Sequence, residues 1–207
     1  MNKAHVTWVV FDYGGVVSHQ PSQQDQARLA RAAGAAVPAF MEAYRHWRLA
    51  YDLAELDAGA YWQQVGRSLG RNYDDAEVAE LTQLDRAAWL RLQAGTVALI
   101  EDLSAAGRRL AMLSNAPGDL AEAVTGLPVS ANFEHLMFSC ELKSAKPDPE
   151  CYRQALARIR ARADEVIFVD DSTDNVAAAA ALGLRAIHFT TLACARAAVT
   201  AELEASV

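Results

Sequence analysis

The chain has 207 residues, an apolar fraction of 52% and a formal net charge of −7. This length can bury a full hydrophobic core with one inserted subdomain, and the ordinary charged fraction argues against global disorder. The basic residues are scattered, so we expect no nucleic-acid partner, which would need a basic stripe. The negative charge does not exclude an anionic small substrate, because local groups decide that.

The spacing of the cysteines and the lengths of the apolar runs indicate the cellular compartment in which the protein is expected. Cys140, Cys151 and Cys194 form no Cys-x-x-Cys pair, which disfavours a zinc site and a disulfide framework. The apolar stretch before residue 12 is too short for a signal peptide, and no run approaches the length of a membrane span. We therefore expect a soluble, cytoplasmic protein with no membrane partner. The sequence leaves the oligomeric state open.

The predicted elements alternate between strands and helices at both ends of the chain. The first strand is predicted at residues 6–11, and later strands are predicted at 109–113, 136–139, 166–169 and 185–189. Helices are predicted at 97–106, 119–125, 149–159 and 175–182. Gly107 and Gly183 stand where helix ends are expected. This alternation is typical of the α/β class, with a Rossmann-like, doubly wound parallel sheet and a site beyond the carboxyl ends of its strands.

One long interval departs from this alternation. Residues 18–92 show helical patterns only, so we predict an inserted all-helical cap subdomain. The α/β core domain is then expected to comprise residues 1–17 and 93–207. We expect the insert to act as a lid over the site.

The predicted insert carries half of the aromatic residues of the chain. Spacings such as that of Tyr44, Trp47 and Tyr51 follow one helix face. Apolar stripes usually pack, so these aromatics are expected to form the insert's own small core. The alternative is that one or two of them, together with Arg45 or Arg48, face a substrate.

Polar residues follow the ends of several predicted strands. Asp12 ends the first apolar run and leads into a glycine-rich turn, Tyr13-Gly14-Gly15. Such a strand places a nucleophile or a metal ligand at the edge of a sheet. Three later segments sit at comparable positions: Ser114-Asn115, Lys146 in the run 144–149, and Asp170-Asp171-Ser172-Thr173-Asp174-Asn175.

Each of the first three segments also has a plain structural interpretation. An isolated strand-end carboxylate such as Asp12 is more often a helix or turn cap. A pair such as Ser114-Asn115 commonly forms a turn. Lys146 alone could belong to a solvated loop, because exposed lysine is the norm.

The last segment is harder to explain by structure alone. Asp170 and Asp171 follow a buried strand, where adjacent carboxylates need partners. Asp174 is expected to cap the helix that follows. His19 and Gln20, close behind the first motif, either face the substrate or form a solvated hinge.

The four segments, taken in order, resemble the four motifs of the haloacid dehalogenase superfamily. The resemblance covers the whole chain, and residues 18–92 correspond to the helical cap of that superfamily. Its first motif is usually Asp-x-Asp-Gly, in which the first carboxylate takes the phosphoryl group and the second handles the leaving-group proton. Asp12 matches the first carboxylate, whereas Gly14 stands at the position of the second. The first and last motifs look like those of a phosphatase-like branch.

The resemblance implies a role for each matching residue. Asp12 would be the nucleophile and would bind Mg²⁺ together with Asp171 and the backbone carbonyl of Gly14. Lys146 and the Ser114 hydroxyl would hold the oxygens of the transferring phosphoryl group.

Three further residues would support these groups. Asn115 would orient the substrate. Asp170 would support the metal ligands without contacting the metal itself, and Asn175 would tether Lys146.

The expected function is Mg²⁺-dependent hydrolysis of a small phosphorylated metabolite, with sugar phosphates favoured, through an aspartyl-phosphate on Asp12. The alternative enzyme is a metal-free 2-haloacid dehalogenase, whose branch typically has tyrosine at the position of Gly14 and an arginine in the cap. The acidic pair Asp170-Asp171 disfavours this alternative. A non-catalytic binding domain is a third class, against which the intact Asp12 and Lys146 argue.

The glycine at position 14 has a chemical consequence. Nothing obvious protonates the departing oxygen, and general acid catalysis is typically worth about 10²–10⁴-fold. We therefore expect a preference for phosphates with acidic leaving groups, such as anomeric, acyl and aryl phosphates. A cap residue or a substrate hydroxyl is the alternative proton source.

Overall fold

A computed structural model describes residues 5–206, so the predicted core residues 1–4 and 207 lie outside the described part of the chain. Its strands are β1 (Trp8–Phe11), β2 (Arg109–Ser114), β3 (His135–Phe138), β4 (Val166–Asp170) and β5 (Arg185–His188). All neighbouring strands are parallel and run in the order β3-β2-β1-β4-β5. The strand that carries Asp12 at its end therefore lies in the middle of the sheet.

Ten α-helices surround and extend this sheet within residues 5–206. Five come between β1 and β2: α1 (Gln23–Ala32), α2 (Val37–Asp52), α3 (Ala58–Ser68), α4 (Asp75–Trp89) and α5 (Ala94–Ala105). The other five are α6 (Gly118–Thr125), α7 (Ser139–Leu142), α8 (Pro149–Ile159), α9 (Thr173–Ala181) and α10 (Leu192–Glu204). None of the helices within this range is long and apolar enough to cross a bilayer.

Helices cover both faces of the sheet because each strand alternates its side chains. Val9 and Phe11 face a cluster that includes buried residues of α5, α6 and α10. Trp8 and Val10 face the opposite cluster, which includes buried residues of α8 and α9. Burial on both faces explains why the strands read as continuous apolar runs. The structure confirms the predicted α/β class and its doubly wound parallel sheet.

Element boundaries shift where side chains cap or redirect the chain. The third strand ends at Phe138, one residue before its predicted end, because Ser139 begins α7. The Ser139 hydroxyl accepts from the Ala116 N–H and donates to the carbonyl of Asp52. Helix α9 begins two residues before its predicted start, because Ser172 is its N-cap.

Helices α1–α4 form a unit, here called the helical insert, with an apolar core of its own. Its fully or nearly buried aromatic residues pack with one another, as the apolar stripe predicts: Phe40, Tyr44, Tyr51, Tyr61, Trp62 and Tyr73. Tyr51 and Tyr61 stack with ring centroids 4.3 Å apart. Helix α5 instead packs against the sheet, so it belongs to the core layer.

Two chain segments join the helical insert to the sheet, and they pair with each other. Ser18 and Leu92 form an antiparallel bridge. The His19 N–H donates to the carbonyl of Arg91 over 2.8 Å, and the Gln93 N–H donates to that of Val17 over 2.9 Å. The two connections to the helical insert therefore run side by side.

A buried polar cluster ties α2 to α4 inside the helical insert. The Arg48 guanidinium bonds to Asp52 at 2.8 Å and to Asp85 at 3.0 Å. The Tyr44 hydroxyl donates to Asp85 over 2.7 Å and also accepts from Arg48. Side-chain exposure of the three charged residues is 16% or less, so each charge depends on its partners.

Removal of the cation from this cluster should destabilise the protein strongly. We expect Arg48→Met to lower the free energy of unfolding by roughly 3–5 kcal/mol, because it leaves two buried carboxylates without their partner. Arg71→Met is the matched control, since Arg71 forms an exposed pair with Glu77 in the same insert. Arg71→Met should lower the free energy of unfolding by no more than about 1 kcal/mol. Urea unfolding measures both, and equal losses would contradict the assigned importance of the cluster.

Candidate active site

The predicted site residues meet at the carboxyl ends of β1, β2 and β4. All of them except the buried Asp170 line a cavity of about 130 Å³, here called the catalytic cavity, between the sheet and the helical insert. The lining residues are Asp12, Tyr13, Gly14, Gln20, Arg48, Trp89, Ser114, Asn115, Leu120, Lys146, Asp171 and Asn175. The strand order explains why these residues lie close together, since β1 pairs directly with both β2 and β4.

The centre of the site is a buried lysine between two carboxylates. The Nζ atom of Lys146 lies 2.7 Å from Oδ1 of Asp12 and 2.7 Å from Oδ2 of Asp170. The Tyr13 N–H also donates to Oδ1 of Asp12 over 2.6 Å. Within residues 5–206 no hydrogen bond joins Oδ2 of Asp12, so this oxygen is available to react or to bind a cation.

Burial sets the proton affinities of this group. It raises the pKa of Asp12 to about 7, with Lys146 opposing the rise and Asp170 adding to it. Burial alone would lower the pKa of Lys146, but the charges of Asp12 and Asp170 outweigh it and raise the value. Lys146 therefore stays charged, and additional positive charge near Asp12 would favour its ionised form.

Asp170 is fully buried, and its side chain holds the lysine and the turn after β4. Besides Lys146, it accepts from the Ser172 N–H over 2.8 Å and from the Asn175 side-chain amide over 3.0 and 3.1 Å. The predicted tether between Asn175 and Lys146 is therefore wrong in its partner. Asn175 acts on Asp170, which in turn holds the lysine.

Asn115 contacts the backbone of Lys146. Its side-chain amide donates to the Lys146 carbonyl over 2.8 Å and accepts from the Lys146 N–H over 2.9 Å. Both polar ends of the amide are thus engaged by the backbone of one residue. Asn115 lines the catalytic cavity, and these two bonds position Lys146; the substrate-orienting role stays a prediction.

The helix after β4 shows one further difference. The N-cap of α9 is Ser172, whose side chain accepts from the Asn175 N–H. Asp174 lies in the first turn of α9 and is exposed, so the prediction that it caps the helix is wrong. Its charge there favours the helix through the positive end of the macrodipole.

The carboxylates form a candidate site for a divalent cation. Oxygen atoms of Asp12, Asp170 and Asp171 lie within 4.8 Å of one another. Asp170 is engaged by Lys146 and Asn175, which leaves Asp12 and Asp171 as the better donors. Hard cations such as Mg²⁺ take few carboxylates together with carbonyls and waters, so this donor set fits Mg²⁺.

Close packing around Asp171 explains the glycine at position 15. Gly15 has a φ of +79°, and a Cβ there would overlap the Asp171 carboxylate. The side-chain amide of Gln20 donates to Oδ2 of Asp171 over 3.1 Å. Gln20 therefore lies at the site, whereas His19 is exposed and does not line the catalytic cavity.

The indole of Trp89 takes the space above Gly14. A Cβ on Gly14 would stand 2.9 Å from Cζ3 of Trp89. The ring is held in place because its Nε1–H donates to the Tyr44 hydroxyl over 3.4 Å and the Arg48 guanidinium lies 5.8 Å from its centroid. The Tyr13 hydroxyl also donates to the Trp89 carbonyl over 2.9 Å. A side chain at position 14 would collide with this fixed ring.

The sequence marks the core-domain residues of this cavity but not the residues that close it from the helical insert. Arg48 and Trp89 were candidates only as members of an aromatic helical insert, and Leu120 and Tyr13 gave no signal. Arg45, the other candidate cation, does not line the catalytic cavity.

Comparisons with known proteins agree with this fold. The model of the haloacid dehalogenase-like hydrolase family matches residues 6–183. A phosphoglycolate phosphatase from Rhodospirillum rubrum is 27% identical over 199 residues, covering 85% of this chain and 76% of that protein. A sesquiterpene phosphatase from Aspergillus oryzae is 28% identical over 141 residues, covering 68% of this chain and 70% of that protein.

Solved structures show the same fold at low sequence identity. A HAD family enzyme from Bacteroides thetaiotaomicron, in complex with magnesium and inorganic phosphate, superposes with a TM-score of 0.69 at 18% identity. The similarity covers 88% of this chain and 93% of that one. The L-2-haloacid dehalogenase from Xanthobacter autotrophicus has a TM-score of 0.67 at 20% identity, covering 96% and 84% of the two chains.

The contact between Gly14 and Trp89 predicts an energetic coupling. We expect Gly14→Ala to cost about 1–3 kcal/mol of stability, because the added methyl meets a packed ring. The cost should shrink in a Trp89→Leu background, which a double-mutant cycle in urea detects. Gly118→Ala is the control, since a Cβ at Gly118 meets nothing within 4 Å. Additive effects of the two substitutions would show that the ring does not limit position 14.

Proposed function

Because the chain belongs to the haloacid dehalogenase-like hydrolase family, we propose that it is a Mg²⁺-dependent phosphatase of a small phosphorylated metabolite. The observation that carries the proposal is the buried Lys146 ammonium against Asp12, with Asp171 beside them. A nucleophilic carboxylate, a fixed cation and a second carboxylate for a metal together suit phosphoryl transfer. The comparisons support hydrolase chemistry, and the substrates in the relatives' names belong to those proteins.

The proposed reaction uses the geometry of Asp12. Its Oδ1 is held by Lys146 and by the Tyr13 N–H, which leaves Oδ2 to attack phosphorus. The new Oδ2–P bond forms as the bond from phosphorus to the leaving oxygen breaks. Water then hydrolyses the aspartyl-phosphate, which releases phosphate and restores the carboxylate. Lys146 and the Ser114 hydroxyl would hold the phosphoryl oxygens during both steps.

The metal would be held by Asp12, Asp171 and the backbone carbonyl of Gly14. When bound, Mg²⁺ supplies positive charge that offsets the repulsion between the carboxylate and the phosphoryl oxygens. Gly14 lines the same cavity as the two aspartates, which supports its carbonyl as a ligand. Asp170 would keep Lys146 oriented and would not bind the metal, because its oxygens are already engaged.

The similar proteins support a phosphatase more than another hydrolase. Two sequence relatives are named as phosphatases, one for phosphoglycolate and one for a sesquiterpene substrate. The Bacteroides thetaiotaomicron neighbour was solved with magnesium and inorganic phosphate. These names concern those proteins, and for this chain they support the reaction class only.

A metal-free 2-haloacid dehalogenase is the second candidate. It is favoured by the structural similarity to the Xanthobacter autotrophicus enzyme and by Arg48, an insert arginine that lines the catalytic cavity. Two observations count against it. Gly14 replaces the expected tyrosine, and the Asp170-Asp171 pair is more acidic than a metal-free site requires.

A release assay separates these possibilities. Purified protein is screened against phosphorylated metabolites with Mg²⁺ and with EDTA, and against 2-haloacids without metal. Phosphate release that requires Mg²⁺ supports the proposal. Halide release without metal would replace it with the dehalogenase, and no release of either kind would favour a binding domain.

Substitution of the nucleophile should abolish turnover. We expect Asp12→Asn to lower kcat by several orders of magnitude while the chain still folds, since the amide is nearly isosteric but cannot attack phosphorus. Asp164→Asn is the control, because Asp164 is exposed and precedes β4 at the opposite end of the sheet. Phosphate release measures both, and substantial residual turnover in Asp12→Asn would exclude Asp12 as the nucleophile.

Two nearby aspartates should differ in their effect on the metal. We expect Asp171→Ala to raise the Mg²⁺ concentration needed for half-maximal activity by more than the about 10–100-fold typical of losing an indirect partner. Asp174→Ala should leave this concentration unchanged, because Asp174 is exposed in the first turn of α9. Mg²⁺ titrations of both variants give the comparison. The same Mg²⁺ dependence in both would remove Asp171 from the metal site.

A further inference from the structure

A second cavity of about 250 Å³ adjoins the catalytic cavity on the side of the helical insert. It lies between α1, α2 and the end of α4, and we call it the side cavity. Gln20 and Trp89 line both cavities, so the two spaces meet at these side chains. A substrate whose phosphoryl group faces Asp12 would reach the side cavity by extending past Trp89, the ring that divides the two spaces.

Most of the accessible surface of the side cavity is apolar. Pro21, Leu29, Met41 and the Trp89 indole supply apolar walls. Arg45 is the charged residue among the lining residues, and it is exposed at the surface.

Two polar groups of the wall are already engaged. The Tyr44 hydroxyl donates to Asp85, and the Gln26 side-chain amide donates to the carbonyl of Pro21. Hydroxyl groups of a sugar would thus lose water and gain few partners there, which costs free energy. The walls suit an aryl or alkyl group better than a sugar ring.

We propose that the side cavity binds an apolar organic group of the substrate, an aryl or short branched alkyl body, with Trp89 and Met41 as specificity-determining residues. This inference rests on the proposed phosphatase function and names the substrate class. The volume lies below the roughly 300–1,000 Å³ of drug-sized ligand pockets, so the body is compact. It departs from the sugar phosphate expected from the sequence.

The chemistry at Gly14 is consistent with this substrate class. Trp89 excludes a carboxylate above Gly14, so the leaving oxygen departs without an acid at that position. Aryl oxygens are acidic leaving groups and depend little on protonation. The same indole that removes the acid would then contact the ring of the leaving group.

The test compares two aryl phosphates of nearly equal leaving-group acidity. Phosphate release with Mg²⁺ is measured for phenyl phosphate and 4-isopropylphenyl phosphate, with acetyl phosphate as a reference that has almost no organic body. We expect the wild-type protein to favour the isopropyl compound in kcat/KM by about tenfold or more, a usual value for added apolar groups in a fitted pocket.

A pair of substitutions on one helix locates the effect. Met41→Trp fills the side cavity and should remove the isopropyl preference while acetyl phosphate turnover persists. Leu49→Trp adds the same bulk on α2 at an exposed position, 57% accessible, and should keep the preference. Equal behaviour of the two variants would overturn the inference.

Further variants and substrates keep the test decisive. If Met41→Trp does not fold, Met41→Ala enlarges the cavity and should move the preference toward 4-cyclohexylphenyl phosphate. An unchanged preference would refute the assignment. Acetyl phosphate turnover with no isopropyl preference in the wild-type protein contradicts the side cavity alone. No phosphate release from any of the three compounds contradicts the phosphatase itself.

Discussion

The arrangement of the site depends on one interaction, the burial of the Lys146 ammonium between Asp12 and Asp170. Three charges meet where almost no water reaches them, and each would be costly alone. The adjacency of β1 and β4 brings the two carboxylates together. Asn115 holds the backbone of Lys146, and Asn175 holds Asp170. Two side-chain amides therefore hold Lys146 and Asp170 in position.

The roof of the site follows from a second constraint, the fixed position of the Trp89 indole. A buried cluster of Arg48, Tyr44 and Asp85 stiffens the helical insert beneath this ring. The ring fills the space that a side chain at Gly14 would need and divides the catalytic cavity from the side cavity. The position of Trp89 thus has two consequences. It leaves no space for an acidic side chain at position 14, and it forms an apolar wall of the side cavity.

Sequence patterns predicted the sheet well because its signals are local. Buried parallel strands appear as short apolar runs, and Gly107 and Gly183 mark helix ends with φ values of +72° and +91°. The errors came where a side chain had several possible partners. Asn175 was paired with the wrong partner and Asp174 was given a cap that Ser172 provides, because local sequence does not reveal which acceptor lies nearest in space.

The sequence by itself determined the α/β class, the helical interval between the first two strands, and the set of polar residues at strand ends. These follow from periodicity and from the fact that parallel strands present their carboxyl ends at one edge. Only the tertiary structure decided that Asn115 serves Lys146 and that Trp89 faces Gly14. Those contacts join residues 31 and 75 positions apart, and only the packing of the core loops and of the insert on the sheet brings them together.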